Sequence, residues 1–287
     1  MKKLIFFMIM PYGVVLGQQT ERAVSKYAVG AQYSHEFLLG GYVHVREWEF
    51  LGDKLKLRDL GVSNYPAMQI HVTRQFAGYR LLTLSYDHYF IRGSATFDRD
   101  ITYNGTIIDG TRGIDVSPTR YLRLSLTYRA RLWRSASFAG GYMAGVVFDH
   151  VKFYLDGEVS PRSTKNEVYE GFGRQALPYP AIGFYGRAHL GRRNYVNLDI
   201  SGTYIPEFRS FFKEGGHVYL QYSLFQTDLN YSWNIFDFDV VIGAKLRYMH
   251  LFQNSAEDTN ILRMSTTGPY IGLTYNFYNH STNAHPR

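Results

Sequence analysis

Apolar and polar residues alternate with a period of two along most of this chain. In the segment 121–132, Leu122, Leu124, Leu126, Tyr128, Ala130 and Leu132 fall on one face, and Arg123, Ser125, Thr127, Arg129 and Arg131 on the other. Val196, Leu198, Ile200, Gly202 and Tyr204 alternate in the same way with Asn197, Asp199, Ser201 and Thr203. Ile182, Phe184, Gly186 and Ala188 alternate with Gly183, Tyr185, Arg187 and His189. Such a period belongs to a strand with one apolar face. No 3.6-residue apolar stripe is sustained beyond residue 40, which excludes a helical bundle and an α/β fold. Ten segments carry the pattern: 42–50, 67–76, 80–92, 119–132, 137–154, 179–190, 194–206, 217–233, 236–252 and 267–278. Apolar parity shifts near Asp149 and near Leu224, which predicts either bulges or strands that outrun whatever environment their apolar face meets.

The connections alternate in length. Short ones lie at 76–80, 133–137, 191–194 and 232–236, and long ones at 51–66, 93–118, 155–178, 207–216 and 253–266. A soluble sandwich has no cause to sort its loops, whereas an outer-membrane barrel has tight periplasmic turns and long outer loops. The expected fold is therefore an all-β antiparallel transmembrane barrel of about ten strands, with eight or twelve as the neighbouring even counts. Its limits are read as 41–278. Residues 18–40 are then a periplasmic lead-in or an extra strand, in which Tyr27, Val29, Ala31 and Tyr33 alternate, and residues 279–287 are a C-terminal tail.

Residues 1–17 open with Lys2-Lys3, continue through the apolar run Leu4–Met10 and reach Gly17 before Gln18. This is the layout of a secretory signal peptide, too short and too broken by Pro11 to span a bilayer. Zero cysteines exclude disulfides, thiolate metal sites and a lipidated N-terminal cysteine. Without Lys2 and Lys3 the net charge falls from +7 to +5. For an exported chain this points to anionic lipid and not to nucleic acid.

Aromatic residues gather beside the short turns: Phe76, Tyr79, Trp133, Phe138, Tyr195, Tyr231, Trp233, Phe236 and Phe238. Rings of this kind form a girdle at the head-group level, here the periplasmic one. The last strand, Tyr270 to Phe277, resembles the C-terminal assembly signal of bacterial outer-membrane barrels, with Gly272, Tyr275 and Phe277 at the matching places; ten further residues follow it. The resemblance is to small outer-membrane β-barrel proteins as a class. It implies an outer-membrane location, outer-membrane lipids and lipopolysaccharide as surroundings, and the barrel assembly machinery as a partner. The oligomeric state is left open.

Alternation alone does not say which face is inside. A secreted lipocalin-like barrel would turn the apolar face inward. If instead the apolar face meets lipid, the lumen is lined by Arg123, Arg129, Arg131, Arg187, Lys245 and Arg247, with Asp87, Asp199, Asp228, His71 and His189. Charges taken out of water must pair or stay wet. The lumen is then either a plug held by ion pairs or a narrow, anion-preferring conduit. Ten strands are too few for a wide aqueous pore. In the longest loop, Asn104-Gly105 between alternating residues predicts a hairpin. Nearby, Asp98, Asp100, Asp109 and Asp115 lack the spacing of a calcium loop. Loop cations such as Arg92, Arg99, Arg112, Arg162 and Lys165 suit lipopolysaccharide phosphates.

The chain resembles omptin proteases in length and strand number, and Asp98-Arg99-Asp100 can stand for their Asp-x-Asp, but no Asp-x-His is present. The stretch from His280 to Asn283 is slightly similar to a lipid A deacylase motif but falls after the last strand. A His71, Ser85 and Asp87 set can be drawn on adjacent strands. No site for a metal or other cofactor is indicated. The expectation is a non-enzymatic outer-membrane barrel of structural, surface-contact or small-solute role. The alternative is a barrel hydrolase acting on lipid A or peptide.

Overall fold

The computed structural model describes residues 25–47, 52–76, 80–165, 172–175, 178–191, 193–209, 218–255 and 258–278. The proposed signal peptide and tail, with His280 and Tyr79, lie outside the described residues.

Fourteen strands follow one another: β1 (Ser25–Glu47), β2 (Lys54–Lys56), β3 (Asn64–Phe76), β4 (Arg80–Ala95), β5 (Ile101–Tyr103), β6 (Thr106–Ile108), β7 (Ile114–Arg134), β8 (Phe138–Gly157), β9 (Phe172–Gln175), β10 (Tyr179–His189), β11 (Asn194–Arg209), β12 (Tyr219–Ile235), β13 (Phe238–Asn254) and β14 (Asp258–Tyr278). Ten of them close a ring. Each of β3, β4, β7, β8, β10, β11, β12, β13 and β14 pairs antiparallel with the next, and β14 pairs with β1, which pairs with β3. Closure leaves no edge to hydrogen-bond into hydrocarbon, the condition for a strand to cross a bilayer. The four remaining strands are short. β2 and β9 pair along the tips of β1 and β8, and β5 and β6 form a separate hairpin.

The apolar face points outward. Val29, Ile70, Val72, Leu84, Leu126, Ile182, Phe184, Ile242, Ile271 and Leu273 are among the exposed large hydrophobics that belt the ring. Around 9–11 residues carry a strand across the hydrocarbon. β1 has 23, β7 and β14 have 21 and β8 has 20, so about half of each stands clear of lipid. The periplasmic turns are tight, as where the Ser135 amide donates to Phe138 O at 2.7 Å and the Leu190 amide to Asn194 O at 3.0 Å.

Two expected boundaries shift. The first strand starts at Ser25, not near Gly41, so the alternating residues Tyr27 to Tyr33 are part of the wall. The connection expected at 253–266 is mostly strand, because β13 runs to Asn254 and β14 begins at Asp258. In β13 and β14 the outward apolar signal ends where the strands leave the lipid although backbone pairing continues, whereas the residues added to β1 carry the apolar outward face themselves.

The parity shifts are the same event. No register shift occurs at Asp149 in either neighbour of β8, nor at Leu224 in β12. Below these residues the outward side chains are apolar (Tyr142, Val146, Phe225, Leu229); at and above them the inward ones are (Val151, Phe153, Leu155; Tyr222, Leu224). Bulges do occur elsewhere, at Leu38/Gly40, Ile91/Gly93, Ser117/Arg120, Arg131/Trp133 and Ile205/Phe208.

Candidate functional site

The barrel interior is stratified. Its outer third is an apolar core supplied by wall and loops together. Leu55, Leu57, Leu60 and Val62 come from the loop after β1, and Ile101, Tyr103 and Ile108 from the β5–β6 hairpin; they pack on Val43, Val45, Val151, Phe153 and Leu155 from the walls. Leu60, Val62, Ile101, Tyr103 and Ile108 are all 0% exposed. The hairpin turns through Asn104 at φ +49° and Gly105 at φ +72°, the pair of left-handed residues that a tight hairpin turn requires. The Tyr103 hydroxyl donates to Phe153 O at 2.9 Å, which anchors the hairpin to β8. Among the described residues the mouth is thus filled by packed side chains.

Ion pairs staple the loops above this core. Arg99 bonds Asp53 at 3.1 Å, and Asp53 also accepts from the Thr102 amide at 2.8 Å. Arg112 pairs with Glu158, and Lys165 with Glu47. Asp100 accepts from Ser160 at 2.9 Å and lies 3.8 Å from Arg162. Asp109 caps a 3-10 turn at Gly110–Arg112. Hydrogen bonds from the Thr111 hydroxyl and backbone hold the Asp109 carboxyl below the usual carboxylate range. The four loop aspartates are therefore not gathered into a cluster, and among the described residues no three His, Asp or Glu converge on a metal position.

The middle layer is buried and polar. One cross-strand row runs Asp149, Arg123, Asp87, Gln69, Gln32 over β8, β7, β4, β3 and β1. Arg123 Nε donates to Asp149 at 2.8 Å, and the two side chains are 4% and 0% exposed. Asp149 also accepts from the Tyr179 and Tyr222 hydroxyls. Gln69 donates to Asp87 at 2.7 Å, and Lys245 donates to Gln32 at 3.0 Å. Arg247 is 3% exposed and lies over the Tyr89 ring at 4.5 Å. Among the described residues its Nε and Nη1 have no hydrogen-bond partner, and neither does Glu36 Oε2.

The periplasmic layer is polar and only part-buried. Arg129 pairs with Asp199 at 2.7 Å, with 30% and 20% of the two side chains exposed. Asp199 faces Asp228, which in turn faces Lys245. Two like charges opposite each other repel, and this pair is offset by Arg129 and by the Tyr270 hydroxyl donating to Asp228 at 2.6 Å. Arg187 donates to Asn197 at 2.8 Å.

Every lumen residue named from the sequence lies on the inward parity of its strand. Arg129 and Asp199 meet directly, and Asp87, Lys245 and Arg247 line one central gap. His71 and His189 do not join a shared cluster. His71 and Ser85 lie opposite each other in register, yet His71 bonds Thr274 at 3.3 Å, Ser85 bonds Ser125 at 2.7 Å and Asp87 bonds Gln69, so each of the three candidate triad members is engaged by a residue outside the set. Tyr195 is a correction. It has the inward parity of Asn197 and Asp199, and the Arg187 guanidinium sits 4.3 Å from its ring, so it lines the lumen and not the lipid girdle. Phe76, Trp133, Phe138, Trp233 and Phe236 are exposed at the periplasmic rim. There Gly140 leaves room for the Trp133 indole, which an added Cβ would meet at 2.5 Å. Tyr275 and Phe277 face outward in the seam, opposite Val29 and Tyr27, and Gly272 faces inward beside Gln32.

Sequence reasoning missed Glu36, Asp149 and the tyrosines Tyr65, Tyr89, Tyr121, Tyr179 and Tyr222. The usable signal was the parity shift itself, since an aspartate at the switch point of a strand faces the interior.

No protein-family profile and no curated protein matches the chain in sequence. Solved structures do match in shape. The outer membrane protease OmpT from Escherichia coli aligns over 91% of this chain and 100% of its own, at 11% identity and a TM-score of 0.50. Neisserial surface protein A covers 88% and 98% at 7% identity and a TM-score of 0.36. The β domain of the Bordetella autotransporter BrkA covers 89% and 100% at 11% identity and a TM-score of 0.34. A closed antiparallel ring with a greasy belt and a polar lumen, matched in shape by OmpT, gives this chain the fold of a transmembrane β-barrel.

Proposed function

We propose that the barrel is a closed structural and surface-contact protein of the cell envelope, neither a conduit nor an enzyme. The observation that supports this is the apolar core at the outer mouth. Water and ions do not cross a region lined by side chains of 0% exposure, and the loop ion pairs fix the surface above it. The lumen cations, which suited either a plug held by ion pairs or a narrow conduit, are in part neutralised in place by Asp149 and Asp199. The test is conductance in planar bilayers. Purified barrel should give no steps above the bare-bilayer current, whereas regular openings would favour solute passage. Hydrolysis of lipid A or of a peptide that disappears in Asp100→Asn or His71→Gln would instead favour the hydrolase.

A further inference from the structure

One corner of the periplasmic lumen is basic beyond what its carboxylates offset. On β10, Tyr185 and Arg187 share the inward parity. Tyr185 stands in one cross-strand row with Gly141 on β8 and Arg131 on β7, and on its other side with Asp199 on β11. Three guanidinium groups, Arg129, Arg131 and Arg187, and one carboxylate, Asp199, act electrostatically on the Tyr185 hydroxyl. The Arg129 guanidinium carbon lies 6.0 Å from the Tyr185 ring centre. Asp199 is taken up by Arg129 at 2.7 Å. The next carboxylate along the wall, Asp228, is taken up by Tyr270 at 2.6 Å and Asn230 at 2.9 Å.

Donors in this corner are left over. Arg187 uses its Nε on Asn197 at 2.8 Å and rests against the Tyr195 ring at 4.3 Å. Among the described residues neither of its terminal nitrogens has a hydrogen-bond partner, nor has the Tyr185 hydroxyl, and Arg129 Nε is buried without one. A ring orients a cation yet leaves its N–H donors for another acceptor. Gly141, Gly145 and Gly183 occupy inward positions of β8 and β10 and put no side chain into the lumen in front of these donors. The corner is wet from one end. Arg129 and Asp199 keep 30% and 20% of their side chains exposed, whereas Val151 and Phe153 in the core above are 2% and 1% exposed. The turn below, with the Leu190 amide bonded to Asn194 O, is too tight to fold back inside.

From this we infer that the corner formed by β7, β8, β10 and β11 is a binding site, entered from the periplasm, for a small solute with a carboxylate or phosphate head. The terminal nitrogens of Arg187, the Tyr185 hydroxyl and Arg129 Nε are the donors that such an oxyanion would accept from, and charge-assisted bonds of this kind are the strong ones. Low-dielectric walls lined by one sign of charge raise the local concentration of the opposite ion. The site needs inward donors and not a sealed mouth, so its failure would not bear on the closed-barrel reading.

The experiment is calorimetric titration of the full barrel in detergent at low salt with three probes, succinate, glycerol 3-phosphate and uncharged glycerol. Arg187→Gln and Tyr185→Phe are compared with the parent and with Arg263→Gln on the outer wall. Tyr185→Phe breaks no internal hydrogen bond, so it stays informative even where Arg187→Gln folds poorly, and unboiled gel migration identical to the parent shows that a variant is folded. The parent should bind at least one of the two oxyanions saturably and glycerol not at all. Arg187→Gln should weaken that binding about tenfold and Tyr185→Phe about threefold, as the loss of a charged and of a neutral donor does. Arg263→Gln should stay close to the parent, and added salt should weaken the parent most. Succinate alone binding identifies a carboxylate solute, glycerol 3-phosphate alone a phosphate ester, and both an oxyanion site without preference. No saturable binding of either by the parent would overturn the inference, as would equal binding by the parent and both lumen variants or an equal loss in Arg263→Gln.

Discussion

At the scale of the residue, the most constrained interaction is the Arg123–Asp149 pair. Neither side chain reaches water, and the carboxylate is further held by two tyrosine hydroxyls. Removing one partner of a buried pair strands the other charge, at about 3–5 kcal/mol. Arg123→Met should therefore lower the urea midpoint of the refolded barrel sharply. Arg123→Met with Asp149→Leu should recover a large part of the loss, because an apolar pair there continues the core above it. A second residue-scale expectation concerns His44 on the outer part of β1. Burial, helped by Arg46 and Lys54, lowers its pKa, while its bond to Gly52 O opposes the shift. A base with a depressed folded pKa binds fewer protons folded than unfolded. Its contribution is thus complete above ~6.5 and is lost as the pH falls through the lowered folded value. Histidine NMR should place His44 below an exposed histidine. Thermal stability should decline between pH 6.5 and 5 in the parent and less so in His44→Gln.

At the scale of the element, the β5–β6 hairpin shows what a sequence discloses and what it withholds. Asn104-Gly105 announces the turn, because few residue pairs adopt two consecutive left-handed conformations. Where the hairpin goes is not written in those residues. It depends on Val43, Val45 and Phe153, distant in sequence, offering an apolar floor. The ten wall strands were legible for the opposite reason. Lipid imposes one rule on every outward position at once, so each strand declares itself independently. Beyond the lipid the rule lapses, and the upper part of β14 went unread although it pairs with β13 without interruption. The lumen was legible by parity, but its pairings were not, since Arg123 meets Asp149 and not Asp199 only through the register of the ring. Tyr103→Ala should test the hairpin's role. It removes a fully buried ring and its bond to Phe153 O, at about 3–5 kcal/mol. Limited proteolysis should then cut within 96–113 much faster than in the parent, while the membrane-embedded strands stay protected.

At the scale of the whole molecule, the two rival barrels, apolar-out and apolar-in, coexist at different heights of one wall. Within the hydrocarbon, Leu126 and Val146 face out and Arg129 and Asp199 face in. In the outer third, Val151 and Phe153 face in while His150 and Lys152 face out. This inversion needs no bulge, because parity is constant along β8 and only the surroundings change. It also makes the effect of a charge depend on height and face together. Leu126→Arg puts a charge against lipid and should cost ~2–4 kcal/mol, as lipid-face arginines near the midplane do. His150→Arg, only a few residues higher but in the head-group zone and facing out, should be within about 0.5 kcal/mol of the parent. Val151→Arg, its neighbour, points into the sealed outer core and should be as damaging as Leu126→Arg, through an unpaired buried charge. Urea titrations of the three variants, followed by heat-modifiable migration, measure the ordering. A Val151→Arg barrel as stable as His150→Arg would mean that the outer third is wet, and the closed mouth would have to be abandoned.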